Sequence, residues 1–203
     1  MELKQDPLSL VICGVGGQGN ILIARLLGRI FAANGQKVII GETFGAAQRG
    51  GSVYSSLRVS KKRDLGPLLP KGQADLILGL EPLETLRMLA LFGHPQVLTL
   101  TNDQPIYPVG VLIGQDRYPA QAELRGAIES LSAAAWFVPA TAIAASLGEA
   151  IMANIVMLGA LLGSRAIGLD FDQVAEEVKK TVPKKKIEAN LKALEQGRAA
   201  VRQ

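Results

Sequence analysis

The chain has 203 residues, 48% hydrophobic and 20% charged, with a formal net charge of +4. At this length roughly 70% of the unfolded surface can be buried, so folding needs no disulfide or metal staple. Its one cysteine, Cys13, excludes an internal disulfide and an iron–sulfur cluster held by this chain alone, since a cluster typically takes about four thiolates.

Cysteine poverty and an N-terminus without a signal-peptide pattern point to the cytoplasm. The basic residues gather at Lys61-Lys62-Arg63 and Lys184-Lys185-Lys186 with no aromatics between them. A solvated turn and a solvated helix start account for both, so no nucleic acid partner is expected.

The first predicted element is a strand over the apolar run Leu8 to Cys13, with Cys13 a buried core thiol. Gly14-Val15-Gly16-Gly17-Gln18-Gly19 follows, then a helical run from Asn20 to Asn34. Strand, glycine turn and helix open a βαβ unit with G-x-G-x-x-G spacing. In that pattern Gly14 makes the sharp exit, Gly16 admits a close approach from above, and Gly19 lets helix and strand pack tightly. The helix start leaves free N–H groups and partial positive charge, where an anion can sit. The same glycines also suit a tight turn that binds nothing.

Lys37 to Glu42 reads as a second strand after the Asn34-Gly35 stop, parallel to the first through a right-handed crossover. Glu42 ends it, where an acid holds ribose hydroxyls in dinucleotide folds. Thr43 to Ser52 is a loop with three glycines, Gln48 and Arg49. Arg49 offers a planar donor fork to a carboxylate or phosphate, or pairs locally with Glu42.

Val53 to Val59 alternates as a strand, and Lys61 to Asp64 is its exposed exit. Leu65 to Pro70 is a loop apolar enough to be packed down. Leu76 to Leu80 is a buried strand. Glu81-Pro82 opens a helix to about Leu91, which places Glu81 at the same carboxyl edge as the glycine turn. His94, between Gly93 and Pro95, is a turn residue rather than a catalytic base. Gln96 to Thr101 is a strand, Asn102 to Pro108 a proline-rich polar loop, and Val109 to Ile113 a short edge strand. Ala120 to Leu131 is a helix, and Ala135 to Pro139 closes the sheet.

Ala140 to Leu162 is long and apolar enough to suggest a membrane span, but Ser146, Gly148 and Glu149 interrupt it. A buried or subunit-interface helix is expected instead, with Gly159 and Gly163 as a small-residue contact face. Phe171 to Thr181 and Lys184 to Val201 are amphipathic helices, the second with a face of Ile187, Leu191 and Leu194. The expected fold is α/β: a doubly wound, mostly parallel sheet with helices on both faces and a helical C-terminal tail. One domain spans 1–203, its core about 8–163 and its C-terminal helices about 170–203. Such sheets place ligands and partners outside the carboxyl ends of their strands.

Several stretches together resemble the gamma-type domain of the 2-oxoacid:ferredoxin oxidoreductases. They are Gly14 to Gly19, Gly41-Glu42, and Gly45-x-x-Gln48-Arg49-Gly50-Gly51-Ser52-Val53. Ala74-Asp75-x-Ile77-Leu78-x-x-Glu81-Pro82-x-Glu84 adds to them, as do Thr101-Asn102 with Pro105-Ile106-x-Pro108, Ala153-Asn154-x-Val156-Met157-Leu158-Gly159, and Val182-Pro183-Lys184-Lys185-x-Ile187-Glu188-x-Asn190. The resemblance runs from about residue 8 to 197. The free-standing size and the Asn-x-x-Pro-Ile-x-Pro loop most resemble the beta subunits of the family's indolepyruvate branch. The family's loop often carries a methionine before Gln-Arg, where this chain has Ala46-Ala47.

The resemblance implies a subunit of an oxidative decarboxylase that turns a 2-oxoacid, here indolepyruvate or another arylpyruvate, and coenzyme A into an acyl-CoA. It passes two electrons to ferredoxin. Thiamine diphosphate, magnesium and iron–sulfur clusters are expected on a larger alpha subunit, with no cofactor on this chain, which is inactive alone. No Gly-Asp-Gly signature for magnesium and diphosphate occurs here. The carboxyl-edge loops carrying Gln18, Glu42, Gln48, Arg49 and Glu81 would face that partner. Gly14, Gly16, Gly17, Gln18, Gly19, Glu42, Gln48 and Arg49 form the candidate surface for an anion such as coenzyme A or for the partner, with no catalytic and no metal-binding residue. A homodimer is the form open to the isolated chain, and no membrane partner is expected. The alternatives are the gamma subunit of a pyruvate or branched-chain 2-oxoacid enzyme and an NAD(P)-binding Rossmann-type protein.

Overall fold

In the computed structural model of the chain, which describes residue 3 and residues 5–42 and 51–201, the first apolar run forms strand β1 (Leu8–Val15). Its residues are buried as far as Gly14, so both faces of the sheet are covered there. Successive side chains alternate between faces. Leu10 and Ile12 join the larger apolar layer, and Val11 and Cys13 the smaller one. Cys13 is fully buried, and burial pushes its thiol far above the usual range, so it is the inert core thiol that was expected.

Helix α1 (Asn20–Ala33) stops where Asn34 donates its side-chain Nδ2 to the Ile30 carbonyl at 2.8 Å and Gly35 takes a φ of 77°. The chain continues through β2 (Lys37–Glu42), β3 (Ser52–Ser60), β4 (Leu76–Gly79), α2 (Pro82–Phe92), β5 (Leu98–Asn102), α3 (Val109–Leu112), α4 (Gln121–Ser130) and β6 (Ala134–Val138). It ends with α5 (Ala140–Ser146), α6 (Ala153–Ser164), α7 (Phe171–Thr181) and α8 (Ile187–Ala200). The sheet order is β2-β3-β1-β4-β5-β6. The pairs β1–β4, β4–β5 and β5–β6 are parallel, and β3 is antiparallel to both its neighbours. The mostly parallel α/β sheet therefore forms, with one inserted strand. β2 keeps the direction of β1 but not the place beside it, because β3 returns between them.

Helices α2 and α4 cover one face through Met88, Leu89, Phe92 and Ile128. Helices α1 and α6 cover the other, with α7 and α8 packed outside them. α6 is buried all round from Asn154 to Leu162. Gly159 and Gly163 face α8, as the spacing suggested, and the partner is this chain's own helix. A methyl group at Gly159 would collide with the Leu194 carbonyl oxygen, one at Gly163 with that of Arg198, and one at Gly197 with that of Val156. The two backbones thus touch directly.

Four expectations change. Val109–Leu112 is a helical turn and not an edge strand, because the Pro108 carbonyl accepts from the N–H groups of Val111 at 3.0 Å and Leu112 at 3.1 Å, and β6 already closes that edge. The run from Ala140 to Leu162 is two helices, broken at Gly148 (φ 101°) and joined by a 3-10 turn at Ala150–Met152. The buried face of α8 is Asn190, Ala193, Leu194 and Gly197: of the expected face Leu194 is buried while Ile187 and Leu191 are only partly so, because the close approach to α6 runs through Gly197. In the loop 65–70 only Leu69 is buried, while Leu68 stands 83% exposed. Among the described residues no helix is long and apolar enough to cross a membrane.

Gly197→Ala should cost about 2–3 kcal/mol in urea unfolding, as overpacking against a fixed backbone does. Gly126→Ala on exposed α4, where a methyl meets nothing, should instead stabilise by about 0.5–1 kcal/mol. Similar effects at both sites would contradict the backbone contact between α6 and α8.

Candidate functional site

The glycine turn starts where β1 leaves the sheet. The Gly16 N–H donates to the Gly51 carbonyl at 2.8 Å and the Gln18 N–H to the Val15 carbonyl at 3.1 Å. Gly17 (φ 102°) and Gly19 (φ 93°) hold the left-handed conformations. Gly14 remains in the strand, where a side chain would meet Gln18 and Leu80. Gly19 packs under Asn154 of α6 and not against the strand. The roles expected of the first and last glycines are therefore reassigned: Gly14 admits Gln18, and Gly19 admits a second helix.

Gln18 staples the turn. Its Oε1 accepts from the Val15 N–H at 2.7 Å, and its Nε2 donates to the Leu80 carbonyl at 2.8 Å. At the end of β5, Asn102 donates to the same carbonyl at 3.2 Å and to Thr141 Oγ1 at 2.9 Å, and its Oδ1 accepts from the Thr141 N–H at 3.3 Å. The carboxyl ends of β1, β4 and β5 and the start of α5 are thereby tied into one rim.

Above this rim lies a cleft of about 530 Å³. Val15, Gly16, Gly17 and Gln18 form its floor. Leu80, Asn102, Gln104, Ile106 and Thr141 form one side, and Ala150, Ile151, Ala153, Asn154 and Met157 the other. The walls are mainly apolar with a few amides and one hydroxyl, a composition and size typical of an organic-ligand site. Asn154 is the one to note. It is 6% exposed, and its Oδ1 accepts from the Ile155 N–H at 2.7 Å. Its Nδ2 has no acceptor among the described residues, so a donor is left over at the cleft wall. The turn into α1 and the first turn of α6 both border the cleft, and neither helix has a side-chain cap. At α6 the starting N–H groups are taken up, Ala153 donating to the Ala150 carbonyl and Ile155 to Asn154 Oδ1, so it is the start of α1 that favours negative charge nearby.

Glu81 lies on the same edge, as expected, but behind the cleft wall. It caps α2 by accepting from the Glu84 N–H at 2.8 Å through Oε2, while Oε1 accepts from Tyr118 Oη and from the Ile106 N–H at 3.4 Å. Burial raises its carboxyl above the ordinary 4.5, against these hydrogen bonds. Burial also raises the Tyr118 hydroxyl, and the Glu81 bond adds to it. Neighbouring Glu84 accepts from Ser52 Oγ.

Of the residues singled out in the sequence, Gly16, Gly17 and Gln18 line the cleft, Gly14 lies beneath it, and Gly19 supports Asn154. Glu42 is elsewhere. It is opposite Ser55, which is opposite Ile12, so it sits two strand spacings, about 10 Å, from β1. There it holds Arg25 through two hydrogen bonds of 3.3 and 3.4 Å. Gln48 and Arg49 lie outside the described residues. His94 is a turn residue whose Nδ1 accepts from the Gln96 N–H at 3.2 Å. Asn102, Gln104, Thr141 and Asn154 were missed as site residues. A lone Asn opening the otherwise apolar helix 153–162 was the available signal for Asn154.

The raised Glu81 carboxyl has a stability consequence. The folded chain keeps a proton that the unfolded chain has released, so this stabilisation is full below pH 4.5 and is lost as pH rises through the native value. Urea midpoints at about pH 4 and about pH 8 should show the unaltered protein losing ground to Glu81→Gln as pH rises. A constant gap would mean that Glu81 ionises alike in both states.

Residues 9–200 match the family described as Pyruvate ferredoxin/flavodoxin oxidoreductase. The chain is similar to Indolepyruvate oxidoreductase subunit IorB of Archaeoglobus fulgidus, with 35% identity over 190 residues that cover 94% of this chain and 93% of that one. The subunit of the same description from Thermococcus kodakarensis is 35% identical over 196 residues, 96% of each chain. In fold the chain resembles the 2-oxoglutarate:ferredoxin oxidoreductase of Magnetococcus marinus, solved with 2-oxoglutarate, coenzyme A and succinyl-CoA bound (TM-score 0.72, 20% identity, 98% of this chain). This chain spans 31% of the length of that one. The keto/oxoacid ferredoxin oxidoreductase gamma subunit of Geobacter sulfurreducens has a TM-score of 0.69 at 21% identity, covering 97% of each chain. A nearly full-length match of this kind disfavours the NAD(P)-binding alternative. From the glycine turn through the C-terminal helices, the chain belongs to the pyruvate ferredoxin/flavodoxin oxidoreductase family.

Proposed function

We propose that the chain is the beta subunit of an indolepyruvate- or arylpyruvate-type 2-oxoacid:ferredoxin oxidoreductase working in the cytoplasm. The observation that carries this reading is its 35% identity over nearly the whole length of relatives that are themselves described as indolepyruvate oxidoreductase subunits. The complex would take a 2-oxoacid and coenzyme A, release carbon dioxide and the thiol proton, form the acyl-CoA, and deliver two electrons to ferredoxin. A larger alpha subunit would hold thiamine diphosphate, magnesium and the iron–sulfur clusters.

The cleft does not fit magnesium–thiamine diphosphate. No carboxylate lines it, and among the described residues no three His, Cys, Asp or Glu side chains converge as metal ligands. It fits part of coenzyme A better. Apolar walls suit the pantetheine arm, and the Asn154 amide and the N–H groups at the start of α1 suit its carbonyls and phosphates. In this reading the chain's residues bind and orient the thiol-bearing arm and exclude water beside it, while bond making and breaking occur on the partner. Arg49 adds a phosphate or carboxylate contact from the second glycine-rich loop.

Asn154→Leu, close in size and without a donor, should raise the KM for coenzyme A in the assembled enzyme about tenfold, the equivalent of one lost hydrogen bond of about 1.4 kcal/mol. The KM for the 2-oxoacid should hold. An unchanged KM for coenzyme A in a fully assembled variant would sink the cleft assignment. Arg49→Ala tests the second loop separately: unchanged KM values for both substrates would remove Arg49 from the site.

A further inference from the structure

We propose that residues 103–118 form a strap along the rim of the cleft, and that Glu81 is the positioning residue that fixes it. The strap carries part of the cleft wall, since Gln104 and Ile106 face the ligand space. Little packing of its own holds it. No residue of α3 within it is buried, and Val109 and Leu112 are 71% and 69% exposed. Its hold on the domain is polar. At its base Gln121 Nε2 donates to the Asp103 carbonyl at 3.1 Å. Across its middle, Glu81 Oε1 accepts from the Ile106 N–H and from the Tyr118 hydroxyl, two donors twelve residues apart. The Tyr107 ring stands edge-on to Tyr118 at 5.1 Å and 90°, so the two anchored ends also touch each other.

Glu81 itself is 1% exposed and does not line the cleft. Its other oxygen caps α2, which packs on β1 and β4. One carboxylate therefore connects the rigid sheet to the weakly packed wall. Ile106 is both its hydrogen-bond partner and a wall residue. A shift of the carboxylate is a shift of the wall.

The use of the strap rests on the cleft reading above, but its anchoring is measurable without any ligand. Tyr118→Phe removes one donor and keeps the ring against Tyr107. By hydrogen–deuterium exchange on the full chain, amides 106–113 should exchange about tenfold faster, the equivalent of one lost hydrogen bond, while β1 and α2 keep their protection. Glu81→Gln, which keeps the shape and exchanges an acceptor for a donor, should loosen the same segment further. In the assembled enzyme Tyr118→Phe should raise the KM for coenzyme A and leave kcat within about twofold. Unchanged exchange at 106–113, or an increase spread evenly over the chain, overturns the anchoring. Faster exchange with an unchanged KM, where Asn154→Leu does raise it, overturns the positioning role. If Asn154→Leu is also inert, the cleft reading has failed, and the strap stands or falls on exchange alone.

Discussion

The carbonyl oxygen of Leu80 accepts two side-chain donors, Gln18 Nε2 from the turn after β1 and Asn102 Nδ2 from the end of β5. Leu80 itself follows β4, and its N–H donates to the Cys13 carbonyl at 2.7 Å. Three parallel strands that share a direction only through their ladders are thus locked to one another at their carboxyl ends. The cleft depends on this lock, because its floor, one wall and the start of α5 all extend from it. A carbonyl with both lone pairs used inside a half-dry rim is costly to disturb. The donors of Gln18 and Asn102 are spent on this lock.

The wall at the start of α6 is positioned by packing on the far side of the domain. Glycines at 159, 163 and 197 let α8 lie backbone to backbone on α6. This fixes the axis of α6, and its first turn brings Asn154 over Gly19. There its Nδ2, without an acceptor among the described residues, borders the cleft. In the other wall Leu80, Asn102 and Thr141 belong to the lock, while Ile106 is held by its hydrogen bond to Glu81 and not by burial. The cleft therefore has one rigid side and one side with less support.

Most of the architecture was legible in the sequence, because strand-length apolar runs and capped helices are local signals. Asn34-Gly35 and Glu81-Pro82 mark helix ends by their own chemistry, and both mark them here. The insertion of β3 between β1 and β2 was not legible, since strand order depends on long-range pairing that periodicity does not report. That insertion carries Glu42 away from the turn and into a pair with Arg25, so dinucleotide-style spacing did not bring the acid to the site. The glycine pattern gave the right location and the wrong division of labour: Gly17 and Gly19 hold the positive φ values, while Gly14 makes room for Gln18. Asn154 stood out only as a lone Asn opening an apolar helix and as part of a family-like stretch, and neither signal reveals whether its amide is satisfied. Val109–Leu112 resembled a strand by composition, and Pro108 decided otherwise.

The central claim is that this chain contributes the wall beside which coenzyme A presents its thiol. The most direct measurement is photolabelling of the assembled enzyme with a coenzyme A analogue bearing a photoreactive group at the sulfur end, followed by peptide mapping. Labelling of this chain at residues 104–106 or 150–157, suppressed by excess coenzyme A, is the expected result. Labelling confined to the partner subunit would contradict it.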